Sequence, residues 1–429
     1  MEFLLHYVWQ HRIFGSLPLR TDQDKSVEII DTGLHNMTAA GPDFFNAKIR
    51  MDGVVWAGNV EIHEKSSDWY VHHHERDQAY NNVILHVASK LDTEVRTADG
   101  KVIPQLCLKV PEELTAHYRE LIDEQTYPPC YRIIPDLPQL TVHAWMNRLM
   151  VERLEKKTDR VRYYLDMTGG DWERTFFITL ARNFGFGTNA EIFERWAATI
   201  LPSDVGKHRD NEIQVEAFFI GQAGLLSPER LASECQDDYF KQLCDEYAFL
   251  RHKFHLQPID GKSWQFGRLR PQNSPLIRLS QLARLYVGRQ ADFSQIVEKP
   301  QLKDLRDLFR IGVTPYWRTH YRFGEVSSRP SDKVLRQSSL DLIVINSVAP
   351  LLFAYGRYLQ DESLCQRATD FLEALPAESN YITRCWDKAG ISVSTAADSQ
   401  ALIHLRKNYC DTKDCLRCRF GAEYLRKRI

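Results

Sequence analysis

Two carboxylates and a histidine form the densest group of chemically competent residues near the start of the sequence. Asp43 follows Gly41-Pro42, and seventeen residues separate it from Glu61, which is followed by Ile62 and His63. Hard cations such as Mg²⁺ and Mn²⁺ prefer oxygen ligands, so two carboxylates with a backbone carbonyl and waters can hold one ion. A nearby imidazole could orient a metal-bound water or take its proton. The pattern predicts a Mg²⁺ or Mn²⁺ site at Asp43 and Glu61, with His63 as a further catalytic residue.

The elements that must position these residues are strands. Ala47–Gly58 contains two β-rich runs joined by Asp52-Gly53, the dipeptide that best tolerates a two-residue hairpin turn. A third run follows at 59–63, and 82–87 is a mostly apolar strand typical of the centre of a sheet. Side chains alternate along a strand, so the glutamate and the histidine of the third run share one face. The polar segment 66–80 predicts a helix between the third and fourth strands.

Other histidines surround this segment. His72, His73 and His74 are transition-metal ligand types, but three consecutive side chains cannot all face one ion, which favours a solvated helix end. His86 alternates with apolar residues and is predicted to be a hydrogen-bonded histidine within the sheet.

A second metal-ligand pattern lies near the C-terminus. Cys410, Cys415 and Cys418 have a four-residue and a two-residue spacing, and a Cys-x2-Cys turn brings two sulfurs to one ion. Four thiolates bind either Zn²⁺ or an iron–sulfur cluster. The fourth ligand must come from elsewhere, and the alternatives are Cys130, Cys385 and, for zinc, His404.

Length and composition narrow the class of protein. The chain has 429 residues, 43% hydrophobic, with a net charge of −2, which excludes wholesale disorder, coiled-coil repetition and a disulfide miniprotein. The first fourteen residues lack a basic n-region and a cleavage site, and nine cysteines are an odd number. The apolar run Leu340–Tyr355 is too short to span a bilayer and is predicted to be a buried helix. We therefore expect a cytoplasmic protein without a membrane segment.

The pattern of apolar, polar and proline residues divides the chain into three parts. Residues 1–125 alternate in the manner of strands and predict a small α/β domain with a mixed sheet, and residues 126–140 form a proline-rich connector. Residues 141–429 predict a large, mostly α-helical region, of which Ala144–Leu165 is the clearest amphipathic helix. The expected fold class is α/β in the first domain and α+β overall.

Basic residues are concentrated in two stretches, 268–289 and 405–429. Such concentrated charge neutralises phosphates, although a solvated helix face explains it equally well. The residues predicted to contact nucleic acid are Arg268, Arg270, Arg278, Arg406 and Lys407.

Two family resemblances add to this interpretation. Pro42-Asp43 and Glu61-x-His63, with a hairpin between them and a helix and strand after them, resemble the PD-(D/E)xK nuclease superfamily and imply a restriction-endonuclease-like fold. In that comparison His63 stands in place of the superfamily's lysine, and Glu28 is the nearest candidate for its additional upstream acid. Segments such as "LARNFGFGTNAEIFE" and "THYRFG" resemble the bacterial family known as domain of unknown function 2851, along nearly the whole chain.

The sequence therefore favours a divalent-metal-dependent nuclease or phosphodiesterase, with Asp43 and Glu61 on the metal, His63 beside the attacking water and Glu28 as a supplementary ligand or base. The alternative is a nuclease-derived module that binds nucleic acid or a protein partner without cutting it, which the missing lysine favours. A weaker alternative is a metal-dependent hydrolase acting on a smaller substrate.

Overall fold

The computed structural model describes residues 2–14, 18–36, 40–227, 237–287 and 292–426, and these form two compact units. Residues 1–137 and 409–429 belong to the first unit, and residues 138–408 belong to the second. The fold is α+β overall, as the sequence predicts, with a mixed sheet in the first unit and helices in the second. The C-terminal segment from Tyr409 onward is part of the sheet-containing unit rather than of the helical one.

The first unit is built on a mixed sheet of seven strands. Its order is β1-β2-β4-β5-β6-β7, and β3 pairs with β4 at the side. The pairs up to β5 are antiparallel, whereas β5–β6 and β6–β7 are parallel. The elements are α1 (Glu2–Gln10), β1 (Leu19–Arg20), β2 (Ser26–Asp31), β3 (Leu34–His35), β4 (Phe44–Met51), β5 (Val54–Lys65), α2 (Asp68–Val71), β6 (Val83–Lys90), β7 (Gln105–Cys107) and α3 (Glu112–Asp123), with α18 (Arg419–Arg426) from the C-terminal segment.

The hairpin between β4 and β5 confirms the strongest local prediction. Met51 pairs with Val54, and the two turn residues Asp52 and Gly53 have φ of 46° and 84°. A two-residue turn that matches the strand twist needs positive φ at both positions, which Asp-Gly tolerates. The predicted run at 59–63 is the second half of the long strand β5, and β6 lies inside the sheet between β5 and β7.

The connection from β5 to β6 is less regular than predicted. Instead of one helix, residues 66–80 form the single turn α2 followed by two 3₁₀ turns, His74–Arg76 and Gln78–Tyr80. The break occurs at His73, whose φ of 62° lies in the left-handed region and cannot continue a right-handed helix. Trp69 of α2 is fully buried and anchors this connection to the hydrophobic core of the sheet.

The described residues of the second unit form helices and one small hairpin, β8 (His320–Arg322) and β9 (Glu325–Val326). The predicted amphipathic helix is confirmed within its first and longest helix, α4. The helices are α4 (Gln139–Met167), α5 (Trp172–Phe184), α6 (Ala190–Ala198), α7 (Pro202–Gly206), α8 (Glu212–Gln222), α9 (Asp238–Phe254), α10 (Pro275–Tyr286), α11 (Phe293–Glu298), α12 (Leu302–Phe309), α13 (Gln337–Ile343), α14 (Ala349–Leu359), α15 (Glu362–Ala374), α16 (Tyr381–Lys388) and α17 (Ala396–Leu405).

One continuous apolar segment, Gln337–Leu359, consists of α13, a π-helical turn at Val344–Val348, and α14. It is long and apolar enough to cross a membrane, but most of its apolar window is buried inside the fold. This agrees with the buried helix predicted for the run that begins at Leu340.

Candidate metal centre

The two predicted carboxylates meet where β4 begins and β5 becomes buried. Glu61 and His63 lie on one face of β5 and are 5% and 1% exposed. The backbone N–H of Asp43 donates to Glu61 Oε2 over 2.9 Å, and the N–H of Ile62 donates to Asp43 Oδ2 over 2.9 Å. These reciprocal bonds fix both carboxylates, so the structure brings together Asp43, Glu61 and His63.

Two further histidines join this group. His72 Nδ1 lies 3.1 Å from His63 Nε2, and His74 Nε2 lies 3.2 Å from Glu61 Oε1. The intervening His73 points away, with 70% of its side chain exposed. His72 is exposed, in line with the expectation of a solvated helix end, whereas His74 is partly buried. The left-handed residue between them nevertheless turns the side chains of His72 and His74 toward the same place, next to His63.

The ligand atoms of this group have the spacing of a small coordination site. Glu61 Oε1 lies 3.6 Å from His63 Nε2, and the nitrogens of His63, His72 and His74 all lie within 4.8 Å of one another. A tetrahedral ion with bonds of about 2.1 Å separates its ligands by roughly 3.4 Å. His74 Nε2 is buried and meets the geometry of no hydrogen bond, and its near neighbour is Glu61 Oε1 at 3.2 Å.

A chain of hydrogen bonds behind the group assigns the tautomer of His63. Gln105 Nε2 donates to the carbonyl of Thr93, which turns Gln105 Oε1 toward His86 Nδ1 at 3.3 Å. His86 therefore donates from Nδ1 and accepts at Nε2, which lies 2.9 Å from His63 Nδ1. His63 donates from Nδ1 and its Nε2 carries a lone pair directed at Glu61 and His72. His86 is thus a hydrogen-bonded histidine within the sheet, as predicted.

The electrostatics suit a cation better than an empty cluster. Burial, followed by the neighbouring charge of Asp43, raises the pKa of Glu61 to about 9. Burial, followed by the other histidines, lowers the pKa of His63 to about 2, and burial lowers that of His86 to about 4. The imidazoles of His63 and His86 are therefore neutral at pH 7, and neutral imidazole is the form that binds metals.

Helix α1 contributes two residues that the sequence patterns did not indicate. His6 Nε2 lies 3.3 Å from Asp43 Oδ2. Burial lowers the pKa of His6, but the hydrogen bond and charge of Asp43 outweigh burial, so the pKa is raised. Burial also raises the pKa of Glu2, which interacts with His6 and Asp43. The packing of α1 on the sheet brings His6 and Glu2 near the carboxylates of Asp43 and Glu61. The spacing of residues in the sequence does not indicate this contact.

Glu28, the predicted upstream acid, does not join the cluster. It is exposed on β2 and forms an ion pair with Arg50, its neighbour across the β2–β4 ladder. Arg50 is seven residues from Asp43 along β4, which corresponds to about 23 Å of strand.

The cysteines of the second predicted site belong to the same unit. Cys130, Cys415 and Cys418 are buried, and Cys410 is half-buried. Burial, followed by the three C-terminal thiols, raises the pKa of Cys130, so these thiols lie close enough to interact. The alternative fourth ligands, Cys385 and His404, belong to the second unit, where His404 Nε2 lies 3.3 Å from Glu152.

The C-terminal segment is also held to the first unit outside the thiols. Tyr424 on α18 hydrogen-bonds Glu120 on α3 over 3.1 Å, and Arg426 lies 3.1 Å from His11, just beyond the end of α1. These contacts explain why the cysteine triplet packs beside Cys130 although nearly three hundred residues separate them in the sequence.

The predicted nucleic-acid contacts have different surroundings. Arg278 is only 5% exposed, and its guanidinium is bound by Gln281 and Asn273, so it supports the interior of the second unit rather than presenting charge to a ligand. Arg268, Arg270 and Lys407 are exposed, and Arg406 lies over the ring of Tyr381. Arg289 and residues 427–429 of the two basic stretches lie outside the described residues.

Fold and site together define an α+β protein with a cluster of carboxylates and histidines on a mixed sheet. The chain belongs to the family described as protein of unknown function (DUF2851), which it matches over residues 2–381. This confirms the resemblance to that family, and the match ends before the cysteine triplet. No curated protein and no solved structure matches the chain.

Proposed function

We propose that the protein is a divalent-metal-dependent hydrolase of phosphodiester bonds, with Glu61, His63, His72 and His74 as the metal ligands. One observation carries the proposal: nitrogens of His63, His72 and His74 lie within 4.8 Å of one another, and Glu61 Oε1 lies 3.6 Å from His63 Nε2 and 3.2 Å from His74 Nε2. Such a set would hold an ion that polarises a phosphoryl oxygen and lowers the pKa of a bound water.

The ligand types bear on the choice of metal. The sequence predicted that Asp43 and Glu61 together hold Mg²⁺ or Mn²⁺. Three imidazoles favour Zn²⁺ or Mn²⁺ over Mg²⁺, because Mg²⁺ prefers oxygen ligands. Asp43 Oδ2 is already occupied by the N–H of Ile62 and by the neighbouring His6.

The remaining side chains have complementary roles. Asp43 has 22% of its side chain exposed, so we assign it the acceptance of a proton from the attacking water. His6 lies beside it, and its raised pKa suits it to carry positive charge once that carboxylate is ionised. His63 is a metal ligand in this proposal rather than a base, because its Nδ1 donates to His86 and the lone pair of its Nε2 would be bound to the ion.

An anionic substrate is supported by the surroundings of the strand ends. A cavity of about 580 Å³ lies at the carboxyl ends of β5 and β6. Four cations, Lys65, Lys90, Lys109 and Arg119, line it against two acids, Glu64 and Glu112. The carboxyl ends of parallel strands are a common location for ligands, and phosphate groups need such charge. The order of Pro42-Asp43 and Glu61-x-His63, which resembles PD-(D/E)xK nucleases, also favours a nucleic-acid phosphodiester.

Metal binding is tested with a matched pair of histidine variants. His74→Ala removes a ligand, whereas His73→Ala changes the exposed neighbour. Titration of the metal-free protein with Zn²⁺ and Mn²⁺ should show binding to the wild type and to His73→Ala at this site, and at least tenfold weaker binding to His74→Ala. Equal affinity for both variants would contradict the assigned ligands.

Catalysis is tested with labelled single- and double-stranded DNA and RNA. We expect cleavage by the wild type in Mn²⁺ or Zn²⁺, none in EDTA, and a loss of 100-fold or more in His74→Ala. The second candidate function is a non-cutting nucleic-acid module, which the absence of a free base at His63 favours. Retardation of the probes in a gel without any product would select it, whereas neither binding nor cleavage would contradict both.

For the C-terminal cysteines we propose a structural centre of Zn²⁺ or iron–sulfur type held by Cys130, Cys410, Cys415 and Cys418. Its support is that the four cysteines belong to one unit, that Cys130, Cys415 and Cys418 are buried, and that the C-terminal thiols raise the pKa of Cys130. A bound ion would pair with thiolates that are unfavourable in a buried, metal-free cluster and would fix the C-terminal segment to the first unit.

A further inference from the structure

A stripe of cations runs along one face of α4 in the second unit. Arg153, Lys156, Lys157 and Arg160 follow one another at intervals of three, one and three residues. This spacing brings all four side chains to the same side of a helix. Like charges at such positions repel one another and destabilise a helix, and a bound anion would reduce this repulsion.

The stripe forms one wall of a large cavity. The cavity has a volume of about 810 Å³, and Arg182 and Lys407 add two further cations from other helical segments. Its lining, all of it described, includes six cations and no aspartate or glutamate. Sites for small ligands occupy roughly 300–1,000 Å³, so the size suits a nucleotide-sized molecule.

Lys157, one of the cations that line the cavity, is held in place by hydrogen bonds. Its amine donates to the carbonyl of Ile345 over 3.1 Å and to Asn346 Oδ1 over 3.0 Å, both in the π-helical turn Val344–Val348. Asn183 donates to the carbonyl of Asn346 over 3.0 Å and holds this turn from the opposite side. Burial, followed by the charge of Arg153, lowers the pKa of Lys157 to about 7.

The nearest acids leave most of this charge uncompensated. Glu194 pairs with Arg182, and Glu378 is bound by Gln400, which also accepts from Arg153 over 3.2 Å. Neither acid lines the cavity. Five of the six cations form no ion pair among the described residues: Arg153, Lys156, Lys157, Arg160 and Lys407.

We propose that this cavity binds a ligand with two or more clustered phosphate groups. Six cations around one enclosed volume exceed what a single phosphate needs, and asparagine side chains supply polar contacts beside them. A nucleoside polyphosphate and the phosphorylated end of a nucleic acid share this chemistry. The inference is independent of the metal centre, because every residue in it belongs to the second unit.

The test is calorimetric titration of the full chain with pyrophosphate in EDTA, which removes any contribution from bound metal. The variant is Lys156→Gln combined with Arg160→Gln, two exposed positions whose loss should leave the fold intact. The matched control is Arg162→Gln on the same helix, which pairs with Asp159 and does not line the cavity. Melting temperatures of the ligand-free variants at or above that of the wild type verify that all are folded, since the double variant removes like charges from α4.

We expect saturable binding of pyrophosphate that weakens at least tenfold in the double variant and less than twofold in the control. Affinity should also fall as salt is raised. Titrations with ATP and with a 5′-phosphorylated oligonucleotide then distinguish the sources: tighter binding of ATP identifies a free nucleotide, and tighter binding of the oligonucleotide identifies a nucleic-acid end. Absence of saturable binding by the wild type, or equal affinity for the double variant and the control, would overturn the proposal.

Discussion

Gln105→Leu tests whether the hydrogen-bond chain behind the metal centre matters. Gln105 is 2% exposed. It does not contact the proposed ligands directly: it hydrogen-bonds His86, which in turn hydrogen-bonds His63. Leucine has a similar size but cannot accept the hydrogen bond from His86 Nδ1. His86 can then donate from Nε2 instead, and the lone pair of His63 is no longer held toward Glu61.

The expected loss of metal affinity follows from the position of Gln105 behind His86 and His63. Loss of a partner behind a metal-bound histidine typically costs 10- to 100-fold in affinity, or about 1.4–2.7 kcal/mol. The lost bonds of His86 and of the Thr93 carbonyl should also lower the free energy of unfolding by roughly 1–3 kcal/mol. Zn²⁺ affinity is measured by competition with a chromogenic chelator, and the tautomers of His63 and His86 by ¹⁵N shifts.

Gln105→Glu is the control, because a carboxylate still accepts from His86 although it cannot donate to Thr93. We expect this variant to lose stability but to bind Zn²⁺ within about threefold of the wild type. If the leucine variant binds Zn²⁺ as tightly as the wild type, or if both variants weaken binding equally, the tautomer assignment is refuted.

Three further predictions concern other parts of the fold. Burial raises the pKa of Glu216 to about 7, so the folded protein favours the protonated carboxyl, and the free energy of unfolding falls as the pH rises from 4.5 through 7. This group should account for a fall of about 2–4 kcal/mol between pH 4.5 and 8, measured by urea unfolding. Glu216→Gln should abolish that fall. Gly221→Ala would place a methyl group 2.2 Å from the ring of Tyr247, so we expect a loss of about 1–3 kcal/mol by urea unfolding, and an unchanged midpoint would contradict this packing. Cys130→Ser should lower the zinc or iron content of the purified protein, whereas His404→Ala should not; the reverse result would reassign the fourth ligand.

The parts of the site that sequence could predict are local. Asp52-Gly53 specifies a hairpin turn by its backbone preferences, and the alternation of strand side chains places Glu61 and His63 on one face. Both features depend on residues within a few positions of each other. The convergence of Asp43 with Glu61 then follows from the antiparallel pairing of their strands.

The parts that could not be predicted depend on distant contacts or on one unusual residue. His72 and His74 converge only because His73 adopts positive φ, a conformation uncommon for a residue with a Cβ. Glu28 was misplaced because strand register decides which end of the sheet it occupies. The spacing of Arg153, Lys156, Lys157 and Arg160 in the sequence is enough to place them on one side of a helix. The cavity beside them depends on how the helices pack, which the spacing does not reveal.

The most direct measurement of the central claim is cleavage of labelled nucleic acid by Glu61→Gln beside Glu28→Gln. Both change one carboxylate to an amide on the same sheet, but only Glu61 is a proposed metal ligand, whereas Glu28 pairs with Arg50. We predict that the wild type and Glu28→Gln cleave in Mn²⁺ or Zn²⁺ and stop in EDTA, and that Glu61→Gln loses at least 100-fold of this activity. Full activity of Glu61→Gln, or no cleavage by the wild type with any metal, would contradict the proposed phosphodiesterase.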